Sequence, residues 1–163
     1  MTAFLAVWDS ATTKFVFSRA GHNSPLWLRA ATGEVTELSH AGGLPLVIFS
    51  ALAYDQQKIC LSPGDIVILF SDGIVAHENP AGKSFDHEIL KTTLKNASAG
   101  SADEILRAIK MAVDAHQQGS RAQDDQTLFV LRPCRFWHLP LGYRFHNSQR
   151  QFVRLNSRKF ICP

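Results

Sequence analysis

Short apolar runs alternate with turn chemistry through the first forty residues: FLAVWD, DSATT, KFVFSRA, GHNSP, LWLRA, ATGE and VTEL. Within KFVFSRA, Phe15, Phe17 and Arg19 face one way and Val16 and Ser18 the other, the period of a strand in a sheet. Thr32-Gly33 supplies a tight turn between the next two runs, so the pattern predicts an antiparallel meander. After a Gly-rich joint at Ala41 to Pro45, the strand-like run YDQQKICL leads through the turn Ser62-Pro63-Gly64-Asp65 into Ile66 to Phe70. That run is apolar at every position, which predicts a central strand buried on both faces.

The period then changes. A helix is predicted to start between Ser84 and Asp86, carrying Ile89, Leu90 and Leu94 on one side. A second is signalled by Ser101 with Glu104, a capping box, followed by Ile105, Ile109, Val113 and His116 at helical spacing. A polar loop ending in Asp124-Asp125 leads to a last strand, TLFVLR, and no internal repeat is present.

At 163 residues, with 45% hydrophobic and 19% charged side chains, the chain fits one folded domain rather than a disordered one. No apolar run reaches the roughly 18 residues of a membrane span, and no positive region precedes the short apolar stretch after Met1. Neither export nor membrane insertion is expected. Cys60, Cys134 and Cys162 are odd in number and widely spaced, which argues against a disulfide framework or zinc site and fits a reducing cytoplasm. The net charge of +3 conceals an asymmetry: residues 1 to 132 hold 11 basic and 14 acidic side chains, and residues 133 to 163 hold 6 basic and none acidic.

Two acidic positions at strand edges carry candidate chemistry: Asp72, after the most apolar strand, and Asp124-Asp125, just before the last. Carboxylates held on rigid sheet backbone can converge on a hard divalent cation such as Mg²⁺ or Mn²⁺. A pair of such ions activates water for in-line attack on a phosphate. The competing reading is local, since Asp before Gly and Asp-Asp in a polar loop are ordinary turn formers.

Taken in order, AGHNSP (20–25), GGLPL (42–46), LSPGDIVILFSDGI (61–74), NPAGKSF (79–85) and DDQTLFVL (124–131) resemble the sporulation (SpoIIE-type) branch of the metal-dependent PPM protein phosphatases. The resemblance covers about residues 2 to 132. It implies an α+β fold, a partial β-sandwich of antiparallel strands with helices packed on one side, and a site at one edge of the sheets. Carried over by position, Asp72 and Asp124 match metal-ligand aspartates for Mn²⁺ or Mg²⁺. Gly73 would let the backbone pass close beneath the metal, and Asp125 is a second-shell or loop-shaping residue. His22 and Asn23 match a loop on the active-site side; His22 is read as a hydrogen-bonded turn residue, and no catalytic side chain is assigned. His77, His87 and His116 show no partner pattern and are read as surface residues.

The resemblance also exposes a departure. Relatives carry a preceding half with a Gly-Asp-x-x-Gly-His-Gly type segment whose aspartate bridges the metals, and this sequence has no such segment. The expectation is the C-terminal portion of a phosphatase domain, truncated at its N-terminus, with at most a partial two-metal site and an apolar face open to self-association. The basic tail, 133–163, lies outside the family pattern; its lack of periodicity fits a disordered extension better than a nucleic-acid-binding one. The resemblance implies a cytoplasmic, signalling hydrolase acting on a phosphorylated protein, such as an anti-sigma-factor antagonist, with a catalytically inactive phosphatase-like binding module as the alternative.

Overall fold

The computed structural model describes residues 1–40, 42–47, 53–119 and 124–133, together with the backbone of 152–154. Most of the tail, including Cys134 and Cys162, lies outside the described residues.

Two sheets and a helical layer make up the fold. The first sheet holds β1 (Ala3–Asp9), β2 (Lys14–Ala20), β5 (Gly42–Gly43) and β6 (Gln57–Cys60), with β2 at its centre. The second runs in the order β4 (Val35–Glu37), β3 (Leu26–Leu28), β7 (Ile66–Phe70), β8 (Thr127–Leu131) and β9 (Phe152–Arg154). The expected antiparallel meander is split: β1–β2 and β3–β4 are antiparallel hairpins, but β2 and β3 lie in different sheets because β3 pairs with β7. The two-residue β5 pairs parallel to β2, Arg19 against Gly42 and Ala20 against Gly43. A pair of glycines offers no alternating side chains from which such a pairing can be read.

The strand Ile66 to Phe70 is buried on both faces, and the two directions of its side chains define two cores. Ile66, Ile68 and Phe70 join Leu26, Leu28 and Leu128 under α2 (His87–Asn96) and α3 (Ala102–Gln117), against Leu90, Leu94, Ile105 and Ile109. Val67 faces the other way and packs with Phe15, Phe17, Leu38 and Leu61 between the sheets. Among the described residues the layers are therefore sheet, sheet, helices, with the helices on one side.

Local chemistry explains the element boundaries. Asp86 caps α2 by accepting from the N–H groups of Glu88 and Ile89. Ser101 and Glu104 form the expected reciprocal box at the start of α3. Asp65, only 3% exposed, accepts from Trp27 Nε1, Ala30 N and Ser62 N, tying the β6–β7 turn to β3.

Sheet one's outer face has no covering layer among the described residues. Leu5 (71% exposed) and Val7 (63%) point outward from β1, while Phe4, Ala6 and Trp8 pack inward. No strand among the described residues pairs with the other edge of β1.

Candidate metal-binding site

The site is built by a seam between the end of β7 and the start of β8. Ser71 N donates to Thr127 O, and Ser71 Oγ accepts from Thr127 N while donating to Asp125 O at 2.8 Å. Gln126, buried, donates from Nε2 to Gly73 O at 3.2 Å. Gly73 completes the seam: a Cβ there would stand 2.5 Å from Asp125 O and 3.1 Å from Asp124 O. Only the missing side chain lets the two backbones approach this closely.

The result is one pocket of about 210 Å³ lined by Asp72, Gly73, Ala76, His77 and Asp124. The aspartates of two segments some fifty residues apart thus share one pocket, as the metal reading requires and the turn reading does not. Both are exposed, and each also serves its own loop. Asp72 Oδ1 accepts from Gly73 N at 3.1 Å, and Asp124 Oδ1 from Asp125 N at 2.7 Å. Asp72 opens α1 (Asp72–Val75), a four-residue helix that the sequence pattern did not reveal because one turn is too short to show a period.

The donor chemistry fits a hard divalent cation. The donor number falls short: among the described residues no group of three or more His, Cys, Asp or Glu side chains could hold a metal. The two carboxylates are the acidic side chains lining this pocket.

His77 corrects that expectation in another respect. It is 3% exposed and lines the pocket between the two aspartates' segments, so it is not a surface residue. The turn at Asn79, whose Oδ1 accepts from Ala81 N and Lys83 N, folds the chain back, and Phe85 N donates to His77 O. Phe85 is anchored in the core, and His77 is drawn in with it. The signal in the sequence was the Asn-Pro-Ala-Gly turn between His77 and Phe85, which brings the histidine against a core aromatic.

The other two histidines are also half-buried and engaged rather than free on the surface. His87 Nδ1 lies 3.3 Å from Glu37 Oε1, with its ring edge-on to Phe70. His116 Nε2 lies 2.7 Å from Lys83 O, with its ring against Phe85.

Of the loop residues, Asp125 contributes through its backbone: its carbonyl accepts from Ser71 Oγ and lies against Gly73. His22 and Asn23 are half-buried and outside the pocket lining. His22 is nonetheless within electrostatic reach. Burial holds its imidazole below the ordinary value, the Asp72 charge pulls it back up, and Arg19 pushes it down. Its backbone carbonyl accepts from Arg19 Nη1 at 2.7 Å.

A family model described as stage II sporulation protein E matches residues 1–133. Among curated proteins, protein IcfG of Synechocystis sp. (strain ATCC 27184 / PCC 6803 / Kazusa) is 28% identical over 131 residues, covering 80% of this chain and 20% of that protein. Phosphoserine phosphatase RsbU of Bacillus subtilis (strain 168) is 28% identical over 132 residues, covering 81% of this chain and 38% of RsbU. The chain thus spans well under half of either relative. The manganese-presoaked phosphatase domain of the cell fate determinant SpoIIE from Bacillus subtilis shares the fold with a TM-score of 0.62 at 20% identity, over 82% of this chain and 57% of that one. Mixed α+β architecture with antiparallel sheets and helices agrees with that likeness, and the match over residues 1–133 settles the family: the chain belongs to the stage II sporulation protein E family and carries part of its phosphatase-domain fold.

Proposed function

We propose that this chain is part of a metal-dependent serine/threonine protein phosphatase, in which Asp72 and Asp124 hold Mn²⁺ or Mg²⁺ and the phosphorylated side chain of a signalling protein is hydrolysed. The observation that carries this reading is the convergence of Asp72 and Asp124 on one pocket through the Ser71, Gly73 and Gln126 seam. RsbU, named a phosphoserine phosphatase, and the manganese-soaked SpoIIE domain support it. When bound, the cation supplies a water of lowered pKa and neutralises phosphate charge. The chain's own residues orient: the seam fixes the two carboxylates, and His77 and Ala76 wall the pocket beside them.

By family likeness the substrate is a phosphorylated regulator of the anti-sigma-factor-antagonist kind, and the setting is the cytoplasm. No helix among the described residues is long and apolar enough to cross a membrane. The phosphatase portion runs to about residue 132, with the basic residues 133–163 as an extension of it. The outer face of sheet one, with Leu5 and Val7, is the surface for self-association.

A second reading, a phosphatase-like binding module without turnover, is favoured by the shortage of donors around the two aspartates. Hydrolysis of p-nitrophenyl phosphate and a phosphoserine peptide with Mn²⁺, beside Asp72→Ala, separates the two. Manganese-dependent turnover abolished by Asp72→Ala supports the enzyme; a folded chain that binds phosphopeptide without turnover supports the module.

A further inference from the structure

A second and larger pocket, about 630 Å³, opens where β2 ends. Its lining includes Arg19, Ser39, His40, Gly42, Gly43 and Asp55. Arg19 follows Phe15 and Phe17 on the inward side of β2, but at its position the core gives way to this pocket. Its guanidinium is held from two directions, Nη1 donating to His22 O at 2.7 Å and Nη2 to Ser39 O at 3.1 Å. Gly42 lies against it so closely that a Cβ would meet Nη2 at 2.4 Å. A Cβ on Gly43 would likewise stand 2.7 Å from the Tyr54 ring, and Tyr54 OH donates to Leu44 O. This is a positioned guanidinium, not a loose surface one.

Its binding capacity is not exhausted. A guanidinium carries five N–H donors, and these two bonds use two of them. Nε is buried without a hydrogen-bond partner. Both bonds go to neutral carbonyls, and among the lining residues the one carboxylate, Asp55, makes no ion pair with Arg19. A half-buried, preorganised arginine with no ion-pair partner among the described residues is suited to receive a carboxylate. The Asp72 pocket has the opposite character, with two aspartates and, among the described residues, no lysine or arginine in its lining. His22 joins the two: its carbonyl is bound by Arg19, and its ring feels the charge of Asp72.

We propose that the Arg19 pocket receives an acidic side chain that flanks the phosphorylated residue of the substrate protein. The inference rests on the phosphatase reading above and specifies its substrate class: phosphoproteins with aspartate or glutamate near the phosphoserine. His40 contributes a second donor, and Asp55, exposed on the rim, weakens the attraction.

Two fluorescent phosphoserine peptides of one sequence, with flanking residues either aspartate or asparagine, are titrated against the full chain in Mn²⁺ at low salt, with fluorescence polarisation as the readout. The native chain should bind the aspartate peptide about fivefold more tightly, as expected for a partly exposed charge-assisted contact. Arg19→Gln should bring the ratio to near one, and Asp55→Asn, which disturbs none of Arg19's bonds, should raise it. A native ratio of one, or a ratio that survives Arg19→Gln in a folded sample, overturns the assignment. If Arg19→Gln does not fold, Asp55→Asn decides: an unchanged or lowered ratio overturns it. Binding of both peptides without preference removes only the acidic pocket, whereas binding of neither removes the phosphoprotein reading and this inference with it.

Discussion

Gly73→Ala is the sharpest test of how the site is assembled. Gly73 lies in helical backbone within α1, where alanine is intrinsically favoured by about 1 kcal/mol, so propensity alone predicts stabilisation. The structure predicts the reverse. The new methyl would stand 2.5 Å from Asp125 O and 3.0 Å from Asp125 C, both backbone atoms in a segment already bonded to Ser71. Relief requires the β8 entry to move outward, and that movement stretches Gln126 Nε2 to Gly73 O and Ser71 Oγ to Asp125 O. Overpacking costs about 1–3 kcal/mol and each weakened bond about 1 kcal/mol, so the net loss is about 2–4 kcal/mol after the propensity gain. For a domain of this size that is roughly a 10 °C fall in Tm, measurable by thermal unfolding in the absence of metal. Manganese titration of the same variant should show weakened binding, because Asp72 and Asp124 are displaced relative to each other. An unchanged or higher Tm with native manganese affinity would refute the seam as the element that holds the site together.

Asp65→Ala should cost about 3 kcal/mol in urea denaturation, because three donors from β3 and the β6–β7 turn lose a buried acceptor; a change below about 1 kcal/mol would show that water replaces it. Glu37 is held below its ordinary value of 4.5 chiefly by the Lys91 ammonium, against the opposing effect of burial and with help from His87. Its folded value is the depressed one, so this stabilisation is present above pH 4.5 and is lost as pH falls through the folded value; Glu37→Gln should flatten the Tm profile in that acid range, and an unaltered slope would contradict the assignment. Replacing Leu5 and Val7 together with lysine should shift the chain toward monomer in light scattering without lowering Tm, since both side chains are exposed. Asp124→Asn should leave metal-free Tm unchanged or slightly raised while abolishing the Tm increase produced by Mn²⁺.

Much of the fold was legible because its determinants are local. The uniformly apolar run Ile66 to Phe70 announced the strand that both cores share, and Ser101 with Glu104 announced α3. The pairing of Asp72 with Asp124 was legible only through motif order, since no local pattern relates residues so far apart. Three features escaped for distinct reasons. The helix at Asp72–Val75 is shorter than any period it could display. The parallel partner of β2 consists of two glycines, which carry no side-chain pattern. His77 lies on a polar stretch whose burial is imposed by Phe85 across the hairpin, a tertiary effect invisible from His77's own neighbours.

The two carboxylates line one pocket, and among the described residues no lysine or arginine lines it with them. What holds them is neutral: the Ser71 and Gln126 hydrogen bonds, and a glycine that lets backbone meet backbone. A seam of this kind fixes the two aspartate-bearing segments relative to each other through contacts of their own, so a ligand taken up between them would not have to gather them first. It also explains why the exacting residue of the site is Gly73 rather than a further acid. Carboxylates on exposed loops are common; what brings these two to one pocket is the backbone contact beneath them, and the close approach at Gly73 supplies it.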